Sequence, residues 1–87
     1  NEVQIEKHSG QINGAKISAV IDVGSNSAIL LIASINADSS VSIICDQCII
    51  TKLGDGLSRT GMISNEAADR TISTLSSFLS TCAKNGV

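Results

Sequence analysis

Hydrophobic and polar positions divide the chain into three short apolar runs and one longer segment with helical spacing. The apolar runs cover residues 17–23, 28–35 and 41–53, and their lengths and β-branched content are typical of strands. The second and third runs are joined by residues 36–40, a polar stretch of hairpin length. The pattern therefore predicts a three-stranded antiparallel meander.

A helix is predicted after a glycine-containing loop at residues 53–62. Ser64 is a good N-cap residue, and Glu66 in the first turn suits the positive end of the helix dipole. Lys84 in the last turn and Gly86 just beyond it mark the end. The predicted buried stripe follows the apolar residues spaced three or four apart: Ala68, Ile72, Leu75, Leu79 and Cys82.

In this predicted α/β arrangement, one face of the sheet has no helix packed against it. Residues 28–33 are apolar on both faces of their strand, which is typical of the middle of a sheet covered on both sides. One amphipathic helix covers only one side, so the remaining helices and strands are expected from further sequence or from another chain. The chain alone is expected to expose a large apolar patch and to associate. Residues 1–16 are polar, with two glycines, and are interpreted as a leader or linker.

Composition narrows the class of partner. Eighty-seven residues with 43% hydrophobic content form one small domain, and the net charge of −2 argues against nucleic-acid or anionic-membrane surfaces. Phe78 is the sole aromatic residue, so there is no stacking platform for bases. No apolar run reaches the roughly 20 residues of a membrane helix, and no signal core precedes the domain. We therefore expect no nucleic acid, no membrane and a cytoplasmic location.

The three cysteines are predicted to be structural. An odd count fits a reducing cytosol better than a disulfide framework. Cys45 and Cys48 form a C-x-x-C, but residues three apart in a strand point to opposite faces of a sheet. The one histidine, His8, lies in the polar leader, so a zinc site has no support.

The polar turn between the first two predicted strands carries the candidate chemistry. Gly24 allows close backbone approach, and Ser25, Asn26 and Ser27 add hydroxyl and amide donors that suit an anion. Asp22 repels phosphate, so its natural partner is a divalent cation that the phosphate shares. A plain hairpin turn uses the same residue types, so both interpretations stay open at this point.

A family resemblance favours the phosphate interpretation. The motif D-V-G-S-N-S at residues 22–27 is followed by T-K-L-G-D-G-L at 51–57 and by T-G-M-I-S-N-E-A before the helix. Over residues 19–87 this order resembles the amino-terminal part of the exopolyphosphatase/guanosine-pentaphosphate phosphohydrolase (Ppx/GppA) family, within the actin-like ATPase superfamily. The resemblance implies an RNase H-like domain, incomplete here, with residues 17–87 as its opening β-β-β-α portion.

The resemblance also implies an activity. Family members hydrolyse terminal phosphoanhydride bonds of inorganic polyphosphate or guanosine pentaphosphate with a divalent cation, usually Mg²⁺. A related kinase, or a non-catalytic module that binds polyphosphate or nucleotide, are the alternatives. The partners implied are the substrate and either the remainder of the domain or a second copy in a homo-oligomer.

Site residues follow from the matched motifs. By resemblance, Asp22 positions the metal and the turn 24–27 cradles phosphate. Lys52 stands where the family's R-L-G-E-G-L loop has arginine, which keeps the charge but loses the bidentate fork. An ordinary strand-to-helix connection with a solvated lysine is the other interpretation of this loop. Many relatives have a basic residue at the position of Ile29, and the family's general base and second phosphate loop are expected beyond Val87.

Overall fold

The computed structural model of the protein describes residues 3–12 and 15–87. Its described part is a four-stranded antiparallel sheet of order β1-β2-β3-β4, followed by one short and one long helix. The elements are β1 (Val3–Ile12), β2 (Ala15–Val23), β3 (Ser27–Ile35), β4 (Val41–Ile50), α1 (Leu57–Thr60) and α2 (Asn65–Lys84).

The α/β class and the order of an antiparallel meander followed by a helix are confirmed, but the predicted count of three strands is one too low. Residues 3–12, assigned to the polar leader, form β1 and pair with β2 from Val3↔Val23 to Ile12↔Ala15, with an irregularity between His8 and Gln11. A sheet edge presents unpaired N–H and C=O groups that any extended segment can satisfy, whatever its side chains. The alternation Val3-Gln4-Ile5-Glu6 was nevertheless a usable strand signal, because Val3 and Ile5 pair with the core residues Val23 and Ile21.

The turn between β3 and β4 forms where it was predicted. The Asn36 N–H donates to the Ser40 carbonyl at 2.8 Å, and Ser39 adopts a positive φ of 71°. The Asp38 carboxylate accepts bonds from the Ser40 hydroxyl at 2.6 Å and the Ser40 N–H at 2.9 Å. These two donors, the hydroxyl first, lower the pKa of Asp38 because they stabilise its charged form.

The hydrophobic core lies between one face of the sheet and α2. The register pairs Ile21 with Leu30 and Ala19 with Ile32, so these side chains share one face. Phe78, at 1% exposure, is the largest fully buried side chain. The buried core consists of Ala19, Ile21, Val23, Ala28, Leu30, Ile32, Phe78 and Cys82.

Helix α2 begins at the predicted N-cap. The Ser64 hydroxyl accepts a bond from the Ala67 N–H at 3.1 Å and satisfies one of the unpaired donors of the first turn. Glu66 lies in the first turn and Lys84 in the last, where each complements the helix dipole. The helix ends at the cap residue Asn85.

The predicted buried stripe of α2 is correct at Cys82 and partly correct at Leu75, which packs against the core, but it is wrong at Ile72 and Leu79. Ile72 is 60% exposed and Leu79 is 44% exposed, whereas the helix buries Ala67, Thr71, Phe78 and Cys82. Phe78 has the most apolar area to bury, and placing it over the sheet turns Ile72 and Leu79 toward the flank. The Thr71 hydroxyl can be buried because it donates to the Ala67 carbonyl at 2.8 Å.

The opposite face of the sheet has no covering element in the described part of the chain. The register places on it five apolar side chains that are 39–65% exposed: Ile29, Ile35, Val41, Ile43 and Ile50. Three of them belong to β4, which is also an edge strand. The expected exposed apolar patch is thus present, while self-association stays a prediction.

No helix within residues 3–12 and 15–87 combines the length and the apolar character needed to cross a membrane.

The phase of α2 can be tested by shortening one buried and one exposed side chain of this helix. Phe78→Ala is expected to lower the free energy of unfolding by about 3–5 kcal/mol, because it leaves a cavity in the core. Ile72→Ala, at an exposed position, should cost no more than about 0.5 kcal/mol. Urea denaturation measures the loss in free energy of unfolding for each variant. Equal losses would mean that Ile72 is buried, as the sequence pattern predicts.

Candidate functional site at the junction of two loops

The two sequence motifs meet through their backbones. The Asn26 carbonyl, in the turn between β2 and β3, accepts the N–H groups of Thr51 at 3.0 Å and Lys52 at 2.9 Å. The neighbouring Ser25 carbonyl accepts the Gly54 N–H at 2.8 Å. These three bonds join the turn at residues 24–26 to the loop that follows β4. We call this contact the loop junction.

Glycine at position 54 allows the loops to approach this closely. A Cβ atom built on Gly54 would lie 3.1 Å from the Ser25 Cβ and 3.4 Å from the Ser25 carbonyl oxygen. The Cβ–Cβ distance is short for two carbon atoms in van der Waals contact, so an added Cβ would require the turn to shift by a few tenths of an ångström. The glycine thus has a packing role in the loop junction.

Lys52 has an uncommon backbone conformation at the same place. Its φ of 52° lies in the left-handed region, which costs a residue with a Cβ roughly 1 kcal/mol or more. The conformation is held on both sides, because the Lys52 N–H donates to Asn26 while its carbonyl accepts from the Asp55 N–H at 3.0 Å. The Arg70 guanidinium also donates to that carbonyl, at 3.3 Å. Backbone outliers of this kind persist where surrounding bonds over-determine them.

At the loop junction, the backbone carbonyls of the turn accept hydrogen bonds, whereas two of its backbone N–H groups do not donate any. The carbonyls of Ser25, Asn26 and Ser27 all accept backbone bonds, the last from the Gly24 N–H at 2.9 Å. Within the described residues, the Ser25 and Asn26 N–H groups make no hydrogen bond. Because Ser25 and Asn26 are exposed, their N–H groups can donate to water or to a bound anion.

An open cavity of about 370 Å³ lies against these groups. Its lining consists of Ser25, Asn26, Lys52, Gly54 and Asp55. Lys52 and the polar groups of the turn can donate to an anion, whereas the Asp55 carboxylate opposes one. The cavity is therefore suited to an anion that brings a cation with it, or that contacts the donor side alone.

The structure brings together three of the predicted site residues and separates the others. Ser25, Asn26 and Lys52 line the cavity. Gly24 and Ser27 do not line it, and their mutual backbone bond closes the turn. Asp22 pairs with Ile29 near the end of β2 and is also absent from the lining.

Asp22 nevertheless has an unusual environment. Its Oδ1 atom is buried without a hydrogen-bond partner among the described residues, and burying an unpaired carboxylate oxygen is unfavourable. The described residues contain no group of three or more His, Cys, Asp or Glu side chains placed to hold a metal. Mg²⁺ commonly takes only one or two carboxylates and completes its shell with water and phosphate oxygens. Asp22 could supply one such carboxylate, but its Oδ1 is buried and the residue does not line the cavity.

Two residues at the junction were not identified from the sequence. Asp55 lines the cavity, and Arg70 on α2 donates its Nε–H to the Thr51 carbonyl at 2.9 Å. The motif T-K-L-G-D-G-L includes Asp55, so its position was a usable signal. Arg70 lies far from both motifs in the sequence and has no local signature.

The cysteines take the predicted positions. Cys45 pairs with Ile32 and packs against the core, whereas Cys48 pairs with Ile29 on the uncovered face. The C-x-x-C pair thus points to opposite sides of the sheet. Cys45, Cys48 and the buried Cys82 are all free thiols.

Fold and site together define a small α/β protein with a donor-rich junction between two loops at one end of its sheet. No family model matches the chain, and neither a curated protein nor a solved structure matches it. Support for a function therefore comes from the two motifs and from the contact between them.

The close contact at Gly54 yields a double-mutant test. Gly54→Ala is expected to destabilise the protein by about 1–3 kcal/mol, because the new Cβ overpacks the junction. Adding Ser25→Gly removes the Cβ that it meets and should recover part of this loss. Urea denaturation of both single variants and the double variant gives the coupling free energy. Simple additivity of the two substitutions would show that the contact does not constrain the loops.

Proposed function

We propose that this chain supplies the first phosphate-binding loop of a hydrolase acting on terminal phosphoanhydride bonds of inorganic polyphosphate or guanosine pentaphosphate. The observation that carries the proposal is the loop junction, because two motifs that resemble the Ppx/GppA pattern meet at one donor-rich cavity. The four-stranded antiparallel sheet followed by a helix is compatible with the opening part of an RNase H-like domain.

In this proposal the terminal phosphate contacts the turn. The free N–H groups of Ser25 and Asn26 and their side chains donate to phosphate oxygens, and Lys52 contributes a positive charge. Phosphoryl transfer depends mainly on positioning the group and on neutralising its spread negative charge. Occupied carbonyls at the junction keep acceptor oxygens from opposing the anion.

Mg²⁺ is the cation proposed to accompany the substrate. Asp22 would be its protein ligand, directly or through water, and the cation would neutralise phosphate charge when bound. Its presence would also offset the repulsion between Asp55 and the substrate. The unpaired Oδ1 of Asp22 supports this assignment.

A non-catalytic module that binds polyphosphate or nucleotide is the second candidate. The observation that favours it is the lining of the cavity, which includes no histidine and only one carboxylate, that of Asp55, among the described residues. Both candidates use the same phosphate contacts, so binding alone does not separate them. Release of orthophosphate from polyphosphate or guanosine pentaphosphate with Mg²⁺ would identify the hydrolase, and binding without release would identify the module.

The surroundings of the domain are part of the proposal. The apolar face that carries Ile29 and Ile43 requires a cover, for which we propose the remainder of the domain or a second copy of the chain. The three free thiols fit a reducing compartment, and we propose the cytoplasm.

Removal of the lysine charge tests the phosphate site. Lys52→Gln is expected to weaken tripolyphosphate binding about tenfold, because it removes one charge-assisted contact. Lys16→Gln makes the same charge change at the far end of β2 and should leave the affinity unchanged. Isothermal titration calorimetry in Mg²⁺ measures both variants. Equal affinities for Lys52→Gln and the wild type would exclude Lys52 from the site, and a wild-type chain that binds no tripolyphosphate would refute the proposed function.

The metal role of Asp22 predicts opposite effects on stability and on binding. Asp22→Asn neutralises a half-buried carboxylate whose Oδ1 has no hydrogen-bond partner among the described residues, so without Mg²⁺ the variant should be as stable as the wild type or more stable. The same substitution should abolish the increase in tripolyphosphate affinity that Mg²⁺ produces in the wild type. Thermal denaturation and calorimetry, each with and without Mg²⁺, check the two effects. An undiminished Mg²⁺ response would remove Asp22 from the metal site.

A further inference from the structure

The side chain of Arg70 on helix α2 is hydrogen-bonded to the loop junction. Its Nε–H donates to the Thr51 carbonyl at 2.9 Å, and its Nη2 donates to the Lys52 carbonyl at 3.3 Å. These contacts span 19 and 18 residues of sequence and connect the helix to the loop that follows β4. One guanidinium thus binds the consecutive carbonyls of Thr51 and Lys52, which Leu53 separates from Gly54.

We infer that Arg70 is a positioning residue for the proposed phosphate site, an inference that rests on the proposed function. The Thr51 and Lys52 N–H groups donate to Asn26, and the carbonyls of the same two residues accept from Arg70. The loop is thereby held from both sides, and Lys52 keeps its left-handed backbone conformation. Without Arg70, the two carbonyls lose these partners and the loop gains freedom to turn acceptor oxygens toward the anion.

The shape of the guanidinium matters for this role. Its planar fork presents N–H groups in fixed directions and can serve two neighbouring carbonyls at once. A lysine at position 70 keeps the charge but is a single flexible point donor. Arg70→Lys should therefore preserve part of the effect, and Arg70→Gln should preserve little of it.

Core packing holds in place the part of α2 that carries Arg70. The adjacent Thr71 is buried at 5% exposure with its hydroxyl bonded to Ala67, and Phe78 anchors the same helix over the sheet. The backbone of Arg70 is therefore positioned by the packing of its helix against the sheet, and its side chain reaches from there to the loop. Through this arginine, the packed helix sets the geometry of the more exposed loop.

The test compares Arg70→Gln, Arg70→Lys and the control Lys84→Gln, which removes one charge from the last turn of the same helix. Tripolyphosphate affinity in Mg²⁺ is measured by calorimetry, and backbone hydrogen exchange without ligand is measured at Thr51, Lys52 and Gly54. We expect Arg70→Gln to weaken binding about tenfold and to accelerate exchange at these three amides. Arg70→Lys should show smaller effects of the same kind, and Lys84→Gln should show neither.

Exchange in the β2–β3 ladder, at Ile21 and Leu30, reports whether each variant keeps its fold, and Arg70→Lys replaces Arg70→Gln if the latter unfolds. Unchanged binding in the Arg70 variants overturns the inference, whether or not loop exchange accelerates. An equal loss of affinity in Lys84→Gln also overturns it, because the effect would then be one of net charge. Failure of the wild type to bind refutes the proposed function instead, while the exchange data still show whether Arg70 holds the loop.

Discussion

The antiparallel pairing of β2 with β3, in the register that sets Ile21 opposite Leu30, is the constraint on which the rest of the structure depends. Because side chains alternate along a strand, this register decides which residues face α2 and which face the uncovered side. It also places the turn at residues 24–26 at one end of the sheet. Since β4 runs antiparallel to β3, its end returns to the same place. The two loops meet as a consequence of strand direction.

Local chemistry made much of the fold predictable. The β-branched runs that became β2, β3 and β4 are separated by polar turns, and Ser64 caps α2 because its hydroxyl reaches the Ala67 N–H. β1 was missed because its segment is polar overall, although Val3 and Ile5 alternate with polar residues and pair with the core residues Val23 and Ile21. The buried stripe of α2 was wrong at Ile72 and Leu79, in part because Thr71 counts as polar in sequence although its hydroxyl is hydrogen-bonded within the helix.

The site was predictable in its components but not in its contacts. The order of the two motifs identified Ser25, Asn26 and Lys52, which the structure places around one cavity. The sequence could not show that the Gly24 N–H is used inside the turn, nor that Arg70 reaches the Thr51 carbonyl. Such details depend on which backbone groups find partners in the tertiary structure, and composition carries no record of that pairing.

Because Lys52 has a left-handed backbone conformation, the residue type that would be most stable at this position differs from the one that would bind an anion. A glycine there would relax the backbone, with a gain of roughly 1 kcal/mol, but would remove the one positively charged side chain among the described residues that line the cavity. An asparagine would tolerate the same conformation and would also lack the charge. Position 52 is therefore a place where improving stability and preserving the proposed chemistry require different residues. A stabilised variant of this protein would need substitutions at other positions to raise its free energy of unfolding.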